Sequence, residues 1–186
     1  MEVCNVVSTA SLGCSVNLAK LEQMLHITPK GFAKNLRKTS RKFSGLRVPI
    51  SNPKAVCMVF KNGSVTTLGV KSMDDTYRAL QQLSKLLRFC GCTPQEPTNL
   101  RVRNVVGFFH IGHSLSLPSI YEQLRKRCFV IYEPELFTGM KVELDRRKLT
   151  AILFGTGKII VTGAPSVREL ETSYHIILHL LRKCVE

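Results

Sequence analysis

Two groups of residues have types and spacings that could support catalysis or metal binding. His175 and His179 lie four residues apart in a helical pattern and could chelate one metal ion, but no third ligand follows at a suitable spacing. Residues 155–158 read Gly-Thr-Gly-Lys, as in a phosphate-binding loop, but Ile159 stands where that loop requires a serine or threonine hydroxyl. The sequence therefore predicts neither an enzyme nor a metal or cofactor site.

A different set of residues repeats along the chain. Phe43 and Phe60 are seventeen residues apart, Phe137 and Phe154 are also seventeen apart, and the second pair follows the first by 94 residues. The same offset relates further positions, among them Gly63 and Gly157, and Ser72 and Ser166. A repeat of this length indicates two copies of one supersecondary unit and suggests a ligand that is itself nearly symmetric. We place the first repeat at residues 1–95 and the second at residues 96–186, because residues 91–99 interrupt the periodicity.

The charge and the cysteine content limit the class of partner. The 186 residues carry a formal net charge of +14 with a pI near 9.8, which predicts an acidic partner, either nucleic acid or an anionic membrane surface. Basic globular proteins more often meet nucleic acid. Seven cysteines, an odd number, are typical of a reducing compartment, and no apolar run approaches the roughly 18 residues needed to span a bilayer. We expect an intracellular, soluble protein.

The segments that must position these side chains read as antiparallel strands and helices. Strands are predicted at residues 5–12, 43–48, 55–60 and 65–70, and the Asn62-Gly63 turn joins the last two as a hairpin. Ser72 and Ser166 begin the long helix of each repeat. Residues 55–60 and 150–154 are apolar on both alternating faces, which predicts a sheet with helices on one side and an open apolar face on the other. The alternative is a sheet buried on both faces, as in parallel α/β proteins, but the hairpin and the small number of helices favour the open face.

Four stretches of the chain make it similar to the TATA-binding protein family. They are residues 5–14 (Asn-Val-Val-Ser-Thr-Ala-Ser-Leu-Gly-Cys), 132–137 (Tyr-Glu-Pro-Glu-Leu-Phe), 152–158 (Ile-Leu-Phe-Gly-Thr-Gly-Lys) and 161–164 (Val-Thr-Gly-Ala). The resemblance runs from Asn5 to about Arg182, and residues 132–137 are its most specific part. It implies an α+β pseudo-twofold saddle, in which two repeats form a curved sheet of ten antiparallel strands with four helices on the convex face.

The resemblance also implies DNA binding, because this family is itself the standard example of proteins that kink DNA with apolar wedges in the minor groove. The four inserting phenylalanines of the family fall on Phe43, Phe60, Phe137 and Phe154. The alternative for these rings is burial in the core, which their repeated spacing disfavours. The paired central hydrogen-bond donors of the family fall on Asn5 and Asn104. The other DNA-binding residues that the resemblance implies are Thr162, Val7, Val106, Met58, Ile152, Ile160, Lys42, Lys71 and Lys158.

Several positions depart from the family's pattern. Leu68 stands where the first repeat should match Thr162, and its side chain forms no hydrogen bond, while Thr66 stands where a floor valine is expected. Residues without positive charge stand at four basic positions of the family, namely Pro49, Ser64, Glu143 and Pro165. Fewer phosphate contacts should flatten the salt dependence of DNA binding. Compensating charges could come from Lys54, Lys148 or the basic connector at residues 30–41, for which a solvated loop is the alternative.

The function implied by the resemblance is that of a transcription initiation factor in the nucleus, which binds and bends A·T-rich promoter DNA. Glu133, Glu135 and Leu136 fall on the loop that engages a transcription factor IIB-like protein, and the RNA polymerase machinery is the wider partner. Binding of a transcription factor IIA-like protein is left open, because the first such loop has no acidic counterpart. The alternative function is an interaction platform that partner proteins bring to promoters, with weak or no TATA selectivity.

Overall fold

The chain folds into strands and helices in the order expected for two repeats. The computed structural model describes residues 1–27, 44–144 and 149–184. The strands within these ranges are β1 (Glu2–Ser11), β2 (Leu46–Ile50), β3 (Ala55–Val59), β4 (Ser64–Val70), β5 (Thr98–His110), β6 (Val130–Ile131), β7 (Met140–Leu144), β8 (Leu149–Leu153) and β9 (Lys158–Ala164). The helices are α1 (Leu18–Ile27), α2 (Met73–Phe89), α3 (Leu117–Leu124) and α4 (Val167–Arg182).

These elements confirm the α+β class predicted from the sequence. The described residues hold nine strands, whereas the family resemblance implies ten. By the 94-residue offset, the counterpart of β6 in the first repeat falls near residues 36 and 37, outside the described residues. Lys42, Phe43, Lys148 and the basic connector also lie outside them. None of the described helices is both long and apolar enough to cross a membrane.

The chain divides into two compact units. The first unit is Asn5–Arg103, and the second consists of Met1–Cys4 with Asn104–Glu186. In the first unit the antiparallel strand order is β2-β3-β4-β1, and in the second it is β5-β9-β8-β7-β6. The division into two sequence repeats, at residues 1–95 and 96–186, rests on the sequence pattern alone and stays a prediction.

Each long helix begins at a serine cap and covers one face of its own sheet. The Ser72 hydroxyl accepts a hydrogen bond from the Asp75 N–H at 3.1 Å, and the Ser166 hydroxyl accepts one from the Glu169 N–H at 3.1 Å. These bonds satisfy backbone donors that the first turn of a helix leaves unpaired. Helix α2 packs on β2, β3 and β4, and α4 packs on β7 and β9. The buried leucine and isoleucine residues of these helices are Leu80, Leu83 and Leu87 in α2, and Leu170, Ile177 and Leu181 in α4.

Proline in a strand is tolerated where its missing N–H is not needed by the ladder. Pro49 lies inside β2, which is the outermost of the described strands in the first unit. Strand β2 begins three residues later than the sequence pattern predicts, at Leu46 instead of Phe43. A proline N cannot donate to a neighbouring strand, so Pro49 contributes only its carbonyl to backbone pairing.

Candidate nucleic-acid interface

In both units the strands alternate buried residues with half-exposed ones. In β3 and β8, for example, every second residue is buried and the residues between them are half-exposed. The buried residues face the helices, so the remaining residues form a second face, which we call the open face of each unit. The open face of the first unit contains Asn5, Val7, Thr9, Arg47, Pro49, Val56, Met58, Thr66 and Leu68. That of the second unit contains Asn104, Val106, Phe108, Lys141, Glu143, Thr150, Ile152, Ile160 and Thr162.

The strand register groups these residues into two rows in each unit. The turn-side row is the one nearer the hairpin turn, and it is Arg47-Met58-Thr66-Thr9 in the first unit and Lys141-Ile152-Ile160-Phe108 in the second. The Asn-side row is nearer the asparagine, and it is Pro49-Val56-Leu68 in the first unit and Glu143-Thr150-Thr162 in the second. Members of a row are direct cross-strand neighbours, so their side chains contact the same stretch of any ligand.

An asparagine side chain is held by the backbone in the same way in both units. The Asn5 Oδ1 accepts a hydrogen bond from the Gly69 N–H at 2.8 Å, and the Asn104 Oδ1 accepts one from the Gly163 N–H at 2.8 Å. Both glycines have positive φ, +85° and +92°, which an L side chain rarely adopts. Each sits beside an irregularity in the β1–β4 or β5–β9 pairing. Because the oxygen of each amide is already engaged, its NH₂ group is the part left to act as a donor.

Two phenylalanines of the second unit form an aromatic pair. The ring centroids of Phe137 and Phe154 are 5.9 Å apart with an interplanar angle of 72°, an edge-to-face arrangement. Gly139 lies against both rings, since a Cβ added there would come within 2.7 Å of Phe137 Cε1 and 3.0 Å of Phe154 Cε1. The ammonium group of Lys141 lies 5.6 Å from the Phe137 centroid. Phe137 is 41% exposed, although it is a large apolar side chain.

Equivalent hairpin turns carry Phe60 and Phe154. The Phe60 N–H donates to the Ser64 carbonyl at 3.0 Å, and the Phe154 N–H donates to the Lys158 carbonyl at 2.9 Å. The turn glycines, Gly63 and Gly157, have φ of +78° and +82°. A Cβ on Gly63 would lie 2.2 Å from the carbonyl oxygen of Cys14, so only glycine fits at this close backbone approach. Phe60 is half-buried at the start of its turn, while its predicted partner Phe43 lies outside the described residues.

Basic side chains accompany the open faces. Lys158 is half-buried at the start of β9, with its ammonium group 4.7 Å from the centroid of the Phe108 ring. Lys71 is exposed directly after β4, and Lys54 is exposed directly before β3. A cation over an aromatic face is held in place while its charge stays accessible to an anion.

The remaining predicted contact residues lie on an exposed loop between β6 and β7. Leu136 is 82% exposed, and Glu133 and Glu135 are exposed beside it. The Glu133 carbonyl accepts hydrogen bonds from the N–H groups of Leu136 and Phe137 at 3.0 and 2.9 Å. The same turn therefore supports the acidic loop and one ring of the aromatic pair.

Five cysteines of the described residues have raised pKa values. Burial raises the pKa of the Cys57 thiol to about 12, against the smaller lowering effect of a side-chain hydrogen bond with Thr67. Burial likewise raises the pKa of Cys14, Cys90, Cys128 and Cys184. A raised thiol pKa disfavours the thiolate, which is the reactive form.

Sequence reasoning missed several residues of the open faces, among them Phe108, and it also missed Gly139 beside the aromatic pair. Phe108 pairs with Ile160 in the turn-side row, and Gly139 supports the aromatic pair. The position of Phe108 could have been predicted, because Phe108 follows Thr9 by 99 residues, the same offset by which Asn104 follows Asn5. Gly139 has no comparable signal, since its role depends on two rings that only the folded chain brings together.

Comparisons with known proteins agree with this architecture. The family profile described as "Transcription factor TFIID (or TATA-binding protein, TBP)" matches residues 1–90 and 99–184. The TATA-box-binding protein 2 of Entamoeba histolytica is 29% identical over 180 residues, which are 97% of this chain and 80% of that protein. The TATA-box-binding protein of Archaeoglobus fulgidus is 30% identical over 178 residues, 96% of this chain and 92% of that one. Among solved structures, Methanococcus jannaschii TBP matches with a TM-score of 0.81 at 26% identity, covering 98% of both chains.

Proposed function

The chain belongs to the TATA-binding protein family, and from this premise we propose that it is a transcription initiation factor that binds A·T-rich promoter DNA in the minor groove and bends it. The observation that carries the proposal is the matched pair of open faces, each with an asparagine anchored by a glycine N–H beside a half-exposed apolar floor. In a eukaryotic cell such a factor acts in the nucleus.

The apolar floor suits the minor groove of A·T pairs. That groove presents acceptors at adenine N3 and thymine O2, whereas a G·C pair adds the N2 amino donor. Apolar floor residues, namely Val7, Met58, Val106, Ile152 and Ile160, offer no acceptor to that amino group. When the amino group of a G·C pair is buried against these side chains, it is a donor without an acceptor, so the floor favours A·T pairs.

The two asparagines supply the donors that an A·T groove requires. In each, the Oδ1 is engaged by a glycine N–H at 2.8 Å, which fixes the amide so that its NH₂ group points away from that glycine. Asn104 Nδ2 also donates a hydrogen bond to the Thr162 hydroxyl at 3.4 Å, so the second hydrogen of its NH₂ group is the one left for a base. We assign Asn5, Asn104 and Thr162 to base contacts, and Lys42, Lys71 and Lys158 to phosphates.

The aromatic pair supplies the wedge that bends the duplex. Phe137 and Phe154 contact each other edge to face, and Phe137 keeps 41% of its surface exposed. Inserting the rings between base pairs costs a few kcal/mol per step, which the larger contact with bent DNA offsets. Phe43 and Phe60 have the same role in the first repeat.

Bending is the property that tests the wedge role. Replacing both rings of the aromatic pair, by Phe137→Ala with Phe154→Ala, should abolish the change in fluorescence transfer between dyes at the two ends of an A·T-rich duplex. Phe89→Ala is the matched control, because Phe89 is a 77% exposed phenylalanine at the end of α2. If the double variant bends DNA as the native chain does, the rings are not wedges.

A second candidate function is an interaction platform with little DNA selectivity of its own. Leu68 favours it, because this side chain lacks the hydroxyl that Thr162 offers in the Asn-side row of the other unit, and the loss of that polar contact weakens DNA binding. Gel-shift titrations of an A·T-rich and a G·C-rich duplex at two salt concentrations separate the two functions. A selective initiation factor binds the A·T-rich duplex more tightly at both salts, whereas a platform binds neither duplex selectively, and any residual binding falls steeply with salt.

The exposed loop between β6 and β7 is the proposed contact for a transcription factor IIB-like partner, through which the RNA polymerase machinery is reached. Leu136 is 82% exposed between acidic neighbours, so it offers an apolar anchor with charge around it. Leu136→Ala should weaken capture of the factor on a preformed protein–DNA complex without changing DNA affinity. Ile176→Ala, on the surface of α4 and 38% exposed, is the control.

A further inference from the structure

The hydroxyl groups on the two open faces are placed in opposite ways. In the first unit the turn-side row carries two hydroxyls, Thr66 and Thr9, which are direct neighbours. The equivalent row of the second unit carries Ile160 and Phe108 at those places and has no hydroxyl. In the Asn-side rows it is the second unit that carries the hydroxyls, and the first unit has apolar Val56 and Leu68. Thr150 and Thr162 occupy the equivalent places in the second unit.

A hydroxyl and a hydrocarbon respond differently to a G·C pair in the minor groove. The guanine N2 amino group is a donor, and a threonine hydroxyl has two acceptor lone pairs. Against an isoleucine or a phenylalanine, the same amino group loses water and gains no partner. A row with hydroxyls therefore tolerates a G·C pair, and a row without them rejects it.

Three of the side chains that make this difference, Thr9, Thr162 and Phe108, have contacts that hold them in place. The Thr9 hydroxyl accepts a hydrogen bond from Arg103 Nε at 2.9 Å, which leaves the oxygen a second lone pair for a ligand. Thr162 lies 3.4 Å from Asn104 Nδ2. The Phe108 ring lies under the Lys158 ammonium group at 4.7 Å and meets the His110 ring edge-on at 6.2 Å.

We infer that the two units read complementary patterns, so that this chain selects an asymmetric element and binds it in one orientation. The first unit accepts a G·C pair only at the outer position of its half-site, next to the wedge step, where Thr66 and Thr9 lie. The second unit accepts one only at the inner position, next to its asparagine, where Thr150 and Thr162 lie. This inference rests on the proposed function, since it assumes that each open face contacts one half of an A·T-rich site.

Two duplexes of identical composition test the inference. Both are A·T elements with one outer and one inner G·C pair, but in the first duplex the two pairs lie in opposite halves and in the second they lie in the same half. On the opposite-half duplex, one of the two binding orientations places both G·C pairs against rows that carry hydroxyls. On the same-half duplex one pair always meets an apolar row. We expect the opposite-half duplex to bind about tenfold more tightly in an anisotropy titration.

Substitutions that equalise the rows should remove the difference. Leu68→Thr gives the first unit a hydroxyl in both rows. Both G·C pairs of the same-half duplex can then lie against the first unit, so the ratio of the affinities for the opposite-half and same-half duplexes should fall towards one. Phe108→Thr with Ile160→Thr does the same for the second unit. Ile176→Thr, on the surface of α4, is the control that should leave the ratio unchanged. Far-UV circular dichroism and thermal unfolding verify that each variant is folded.

The possible results separate the inference from the proposed function. Equal affinity of the native chain for the two mixed duplexes, with preference for A·T over G·C retained, would overturn the inference alone. A ratio that survives both sets of equalising substitutions would overturn it as well. Absence of any preference for the all-A·T duplex over a G·C duplex would overturn both the inference and the proposed function.

Discussion

The asparagine of each open face combines a structural role with a proposed donor role, and two substitutions of Asn104 separate them. Its Oδ1 accepts the Gly163 N–H at 2.8 Å, while its NH₂ group is the proposed base donor. Asn104→Ala removes both groups. Asn104→Asp keeps an oxygen for the Gly163 N–H but removes the NH₂ group, so the loop geometry should persist without the donor.

The size of each effect follows from the surroundings of Asn104. A protein hydrogen bond contributes about 0.5–1.5 kcal/mol net, and this one is half-buried, so Asn104→Ala should lower the unfolding free energy by about 1 kcal/mol. For a chain of this size that corresponds to a fall of about 2–4 °C in Tm. Asn104→Asp should leave Tm nearly unchanged. Its affinity for A·T-rich DNA should fall by about 5- to 150-fold, the value of about 1–3 kcal/mol for one good base contact.

Thermal unfolding followed by far-UV circular dichroism suits this chain, because it has no tryptophan. Anisotropy titrations with a labelled A·T-rich duplex give the affinities. The added carboxylate also repels phosphates, so the titrations are repeated at two salt concentrations, since salt screens that repulsion more than it affects a lost base contact. Asn5→Asp is the matched variant, with the same 2.8 Å contact to Gly69. If Asn104→Asp binds DNA as tightly as the native chain, the donor role is refuted.

Three further predictions follow from individual contacts. Gly139→Ala should reduce DNA bending more than DNA affinity, because its Cβ would lie 2.7 Å from the nearer ring of the aromatic pair; fluorescence transfer between duplex ends equal to native would contradict this. Ser72→Ala should cost about 1 kcal/mol in urea unfolding through loss of the α2 cap, whereas Ser72→Asp keeps an acceptor and should cost much less. Cys57 is fully buried with its pKa raised from 9.0 to about 12, so it should be the last cysteine labelled by a maleimide at pH 8. The contribution of this buried thiol to the free energy of unfolding is present below pH 9 and is lost as the pH rises towards 12. If mass spectrometry finds Cys57 labelled as fast as the half-buried Cys92, the burial argument is refuted.

Local signals in the sequence predict most elements of the fold. The serine caps at Ser72 and Ser166 and the Asn62-Gly63 turn act over a few residues, so they can be read without the folded chain. The predicted start of β2 was less accurate, because the point where a strand begins or ends depends on its pairing with neighbouring strands and not on its own pattern. The proposed roles of the site residues came from the family resemblance, and they stay predictions until DNA binding is measured.

The sequence by itself determined the two-fold repetition, the order of the elements and which residues alternate along each strand. Only the tertiary structure decided which side chains share a row. Thr9 and Thr66 become neighbours, and so do Phe108 and Ile160, although each pair is more than fifty residues apart in the chain. The pairing register decides this, and the register is shifted at irregularities beside Val6 and Val105. Because a one-residue shift turns every side chain of a strand to the other face, long-range pairing and not local pattern determines which groups a ligand meets.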